Sequence, residues 1–112
     1  MRFEGRDLEP YAEPVSASDL VEGEAYFSVM FVDEEMRIPV METWIFIGRN
    51  LDGEAEETLY FQDVRSYLDG VKFEMQKPEA LFLRSLPSEL GHIFDFEHAL
   101  ESLMRCSIER KQ

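Results

Sequence analysis

The chain has little of what usually announces a function. Its single cysteine, Cys106, excludes an internal disulfide and suits a reducing compartment, so a cytoplasmic location is expected. Its six glycines form no glycine-rich phosphate loop, and no Gly-x-Ser-x-Gly elbow is present. No apolar run approaches the ~18 residues that cross a bilayer. The opening Met1-Arg2-Phe3-Glu4-Gly5-Arg6-Asp7 lacks the apolar stretch of a secretory signal. Basic residues are scarce: 11 Lys plus Arg stand against 24 Asp plus Glu, a net charge of −13. Phosphate binding needs Lys and Arg to displace counterions, so neither nucleic acid nor an anionic membrane is an expected partner.

What is present argues for a folded core. Hydrophobic residues make up 45% of the 112 and aromatic residues 12%, which is too apolar for a disordered chain. The length suits one domain over 1–112. The acidity is uneven: residues 1–35 hold ten acids and two bases, residues 36–70 seven and three, residues 71–112 seven and six. Such a surface reads either as a charge that serves solubility or as one that attracts a basic partner.

Along the chain, Pro10 and Pro14 favour an extended segment over 1–19, and Ser18 to Glu22 reads as a helical turn stopped by Gly23. An antiparallel β region is expected over 24–85. Its first strand is Ala25 to Val32, in which Phe27, Val29 and Phe31 alternate with Tyr26, Met30 and Val32. Asp33-Glu34-Glu35 is an exposed turn, because adjacent carboxylates are costly to bury. Val40 to Ile47 returns, entered through Pro39 and ended by Gly48; Asn50 to Glu54 reverses the chain into Thr58 to Gln62. Val64 to Leu68 reads as a short helical turn. Val71 to Met75 alternates as a half-exposed strand would, and Ala80 to Arg84 forms a fifth. A C-terminal helix is expected over 95–111, with Asp95 as its N-cap and Phe96, Ala99, Leu100, Leu103, Cys106 and Ser107 on one face.

The resulting class is mainly β with a C-terminal α-helix: a single antiparallel curved sheet or a small barrel of about five strands. Trp44 and Phe46 point to one side of their strand and Ile45 and Ile47 to the other, so both faces need cover. Barrel closure with the helix outside is the favoured solution, and a homodimer is the other. Leu20 to Phe27, leading into the first strand, resembles the opening of SH3-like barrels. Glu42 to Leu51 followed by Leu59 to Asp63 resembles a family of small uncharacterised bacterial proteins, which implies a bacterial protein but brings no activity.

Few residues suggest chemistry. His98 and Cys106 lie eight positions apart on the helix, ~12 Å along its axis, too far for a nucleophile pair. His92 and His98 lack a third ligand, so no metal site and no cofactor is expected. The acidic loops lack the spacing of a calcium loop. Glu42, mid-strand among apolar residues, pairs with Arg37 or Arg49 or else sits partly buried near Trp44. The leading expectation is a non-enzymatic protein-interaction module. Its surface would combine a groove of Tyr26, Trp44 and Tyr60 with the acidic Asp33, Glu34 and Glu35. The alternative is a small-molecule-binding protein or enzyme with a pocket near Glu42 and Trp44.

Overall fold

The computed structural model describes residues 13–35, 38–53 and 57–110, with side chains through Met104. Expectations for residues 1–12, Arg37, residues 54–56, the side chain of Cys106 and residues beyond 110 fall outside this set. Five strands, β1 (Ala25–Phe31), β2 (Pro39–Arg49), β3 (Leu59–Asp63), β4 (Phe82–Ser85) and β5 (Ile93–Phe94), form one sheet in the order β4-β3-β2-β1-β5. Every pairing is antiparallel. The edge strands β4 and β5 do not pair, so the sheet is open and the favoured barrel closure does not occur. Two α-helices, α1 (Val64–Leu68) and α2 (Phe96–Arg110), and three short 3₁₀ turns complete the described elements.

Loops and helices, instead of closure, cover the two apolar faces. On the first face Tyr26, Phe46, Leu59, Phe61 and Ile93 pack with Leu20 and Leu90, and Val15, Ala17, Trp44 and Leu83 border them. The segment after residue 13 is held there by a bond from Val15 N to Ile93 O of 2.9 Å and by a 3₁₀ turn at Ala17–Asp19. That turn is shorter than the helical turn expected up to Glu22.

The second face has two covers. α2 lies over β1 and β5, where Val29, Phe94 and Ala99 are buried with Phe27, Phe31 and Leu103 around them. The segment from α1 to Met75 lies over β3 and β4. Here the expected strand at Val71 to Met75 is a 3₁₀ turn, Phe73–Met75. Phe73 stacks edge-on between Tyr60 and Phe82, at 5.1 and 5.2 Å. The Val71 carbonyl accepts from the Gln62 side chain at 3.0 Å. An alternating pattern that is satisfied by one aromatic anchor needs no ladder.

Between Phe46 and Gly48 the β2–β3 register shifts, leaving Ile47 as the extra residue of a bulge. Gly48 has φ +150°, and a Cβ there would stand 3.1 Å from Leu51 Cδ2, so both backbone and packing ask for glycine.

Trp44 is partly buried beside the first-face core. Its emission is therefore expected to be blue-shifted from that of indole in water and to move red on unfolding in urea. Native emission already at the position of free indole would contradict this packing.

Candidate functional site

An apolar groove of about 240 Å³ runs between α2 and the β1–β2 hairpin. Its floor consists of the cross-strand pairs Phe27–Thr43 and Val29–Met41. Its wall is α2, whose Phe96, Ala99, Leu100 and Leu103 recur at helical spacing. The helix begins where expected: Asp95 Oδ1 accepts from His98 N at 2.9 Å, the geometry of an N-cap. Ala99 makes the buried contact with β1 and β5. With α2 centred there, the β2 side of the apolar stripe has no cover. Phe96 remains 61% exposed, Met41 55% and Leu100 45%.

Carboxylates are exposed on both elements that form the groove. Glu97 and Glu101 are exposed on α2, and Glu42 is exposed on β2. Leu103 and Phe31, the last residue of β1, both border the buried cluster of Val29, Phe94 and Ala99. Glu34 and Glu35 are exposed as expected; Asp33 is partly buried and its Oδ1 accepts from Ile38 N at 2.8 Å.

The aromatic residues singled out from sequence do not line one groove. Tyr26 and Trp44 are direct cross-strand partners on the first face. Tyr60 lies on the second, paired with Arg84. Tyr26 is 7% exposed and its hydroxyl accepts from Val21 N at 2.9 Å; Tyr60 is fully buried. The reason is strand parity combined with a central position: β3 has neighbours on both sides and cover on both faces. Trp44 Nε1 is buried with no acceptor among the described residues. Glu42 is exposed instead of partly buried; two residues from Trp44 on an unbroken ladder, it shares the face of Trp44 and borders the groove only between Met41 and Thr43. The residues sequence reasoning missed are Met41 and the exposure of Phe96 and Leu100. The signal was there in part, because the apolar stripe of α2 is wider than a two-residue β5 and one strand can cover.

A second cleft, of about 400 Å³, lies between residues 13–19 and the start of α2. His98 Nδ1 meets Asp95 Oδ1 at 2.8 Å, and Nε2 lies 3.8 Å from Glu101. The hydrogen bond to Asp95 raises the imidazole above its ordinary value; desolvation opposes this and the charges of Asp95, Glu101 and Glu13 add to it. Burial alone would raise the Asp95 carboxyl, but the His98 backbone and ring outweigh it and hold it low. Ser16 also lines this cleft, yet its hydroxyl donates to Asp19 Oδ2 at 3.0 Å. An Asp–His pair whose nearby hydroxyl serves another carboxylate is a helix cap, not a nucleophile relay. Among the described residues no cluster of three or more His, Cys, Asp or Glu is placed to hold a metal, and no helix is long and apolar enough to cross a membrane. Comparison with protein-family models, curated proteins and solved structures gave no match.

Proposed function

We propose that this chain is a protein-interaction module whose groove along α2 receives an amphipathic segment with an apolar face and basic flanks. The observation that carries the reading is the exposed apolar stripe of Phe96, Leu100 and Met41 beside a partly filled groove. A helix laid into such a groove buries alternate turns of apolar side chains, and its flanks meet whatever charge rims the site. The two elements that form the groove expose Glu42, Glu97 and Glu101, so Lys and Arg are the matching flank. A second copy of the chain is the less suitable occupant, because each brings a net charge of −13.

The test uses a dye-labelled amphipathic Leu/Lys peptide and its Leu/Glu counterpart, read by fluorescence anisotropy. The basic peptide is expected to bind and the acidic one not to. Leu100→Asp decides between docking and mere charge attraction. It adds a carboxylate, so attraction alone predicts equal or tighter binding. Insertion into the groove predicts a loss of roughly tenfold or more, as at a central apolar contact. Leu100 is 45% exposed, so the variant should keep its fold. Unchanged or tighter binding by Leu100→Asp would overturn the proposal.

A further inference from the structure

Another cleft lies at the far end of the second face, and it is independent of the groove. Its volume is about 800 Å³, within the range of small-molecule sites. The bulged Ile47, Leu51 and Val71 supply apolar lining, and Gln62 lines it from the interior strand β3. Gln62 is only 1% exposed, an unusual burial for a primary amide.

A chain of hydrogen bonds fixes which end of that amide is free. Asp63 is a carboxylate and can only accept, so the Ser66 hydroxyl, 2.6 Å from Asp63 Oδ1, must donate to it. The Ser66 oxygen is then left as an acceptor for Gln62 Nε2 at 2.8 Å. The second amide hydrogen goes to the Val71 carbonyl at 3.0 Å. With both hydrogens committed, what Gln62 can offer the cleft is its carbonyl oxygen. Reversing the amide would set an oxygen against the Val71 carbonyl, so the orientation is locked.

The other polar groups of the lining share this bias. Glu22 and Glu74 are exposed carboxylates, and Tyr67 presents a half-exposed ring and hydroxyl; Lys72 is the single cation among the lining residues. Carbonyl, carboxylates and a π face all favour a positively charged donor. We infer that this cleft, lined by Gln62 with both amide hydrogens already committed and by Glu22 and Glu74, is a binding site for a small organic amine: an ammonium group on an apolar or aromatic body. The ammonium donates to acceptors that the fold has already oriented, and the body lies against Ile47, Leu51 and Val71. Carboxylate ligands of the same shape are repelled.

Phenylethylamine and phenylacetate, which share a ring and differ in charge, are the probes, titrated into the ¹⁵N-labelled protein. Phenylethylamine is expected to shift the backbone amides of Gly23, Gly70 and Val71 and the side-chain amide of Gln62, whereas phenylacetate shifts none of them. The double variant Glu22→Gln, Glu74→Gln changes only exposed side chains, so it should fold normally. It should weaken the amine by roughly three- to tenfold, the scale of two exposed charge contacts. The inference is overturned by equal shifts from both probes, by no shift at those residues, or by an amine affinity unchanged in the double variant.

Discussion

Phe61→Ala is expected to lower stability by about 3–5 kcal/mol, the scale for removing a buried aromatic ring from a core that cannot collapse around the gap. Phe61 is fully buried on the interior strand β3. Its ring meets Phe46 at 5.4 Å and Tyr26 edge-on at 6.4 Å, so its loss removes an aromatic contact from each. Neighbouring strands fix the backbone on either side, through Phe46 in β2 and Leu83 in β4, which limits relaxation. A domain of this size has roughly 5–15 kcal/mol in total, so the variant would be marginal and its melting temperature lower by roughly 10–20 °C. Urea denaturation followed by Trp44 emission measures it. Leu100→Ala is the matched control, expected to cost under about 1 kcal/mol because Leu100 is 45% exposed. Equal losses in the two variants would mean that the first-face cluster is not the principal core.

The contrast between these residues also explains what could be read in the sequence. Period-2 alternation located β1, β2 and β3 to within a residue or two, because each is long enough to show both parities. Asp95 marked the start of α2, since a cap is a local event set by one side chain and the next turn. The failures are non-local. Val71 to Met75 alternates as a strand does, but Phe73 settled between Tyr60 and Phe82, residues that sequence spacing does not bring together. β5 has two residues, too few for any period to appear. Double-faced apolar strands correctly demanded cover on both sides, yet nothing in the pattern distinguishes closure into a barrel from cover by Leu20, Leu90 and α2. The same gap separates the expected site from the one found. Tyr26, Trp44 and Tyr60 look alike in sequence; strand parity sends Tyr60 to the opposite face. The stripe of α2 was legible, but its partial exposure depends on where the helix lands across the sheet.

Asp63→Ala is expected to cost about 2–4 kcal/mol, a large effect for a residue at the end of a strand. The carboxylate caps α1 by accepting from Ser66 N at 3.0 Å, which alone is worth about 1 kcal/mol. It also accepts from Leu81 N at 2.8 Å, tying β3 to the segment before β4, and from the Ser66 hydroxyl. Removing it strands these donors and releases the Ser66–Gln62 link beneath the large cleft. The same bonds give the effect a pH dependence of known sign. Burial would raise the Asp63 carboxyl, but the Ser66 hydroxyl and the Leu81 and Ser66 backbone N–H groups outweigh it and hold it below its ordinary value of 3.8. The folded form therefore binds a proton less readily than the unfolded form. Its stabilisation is complete above the unfolded value and is lost as pH falls through the folded one. Urea midpoints of the parent and of Asp63→Asn, compared from about pH 6 downward, should differ by a constant amount until roughly pH 4 and then converge. Asn keeps one acceptor but turns an N–H toward one of the donors, so it removes the charge without removing the side chain. A difference that persisted undiminished into strong acid would show that the ionised carboxylate is not what holds α1, Leu81 and the Gln62 network together.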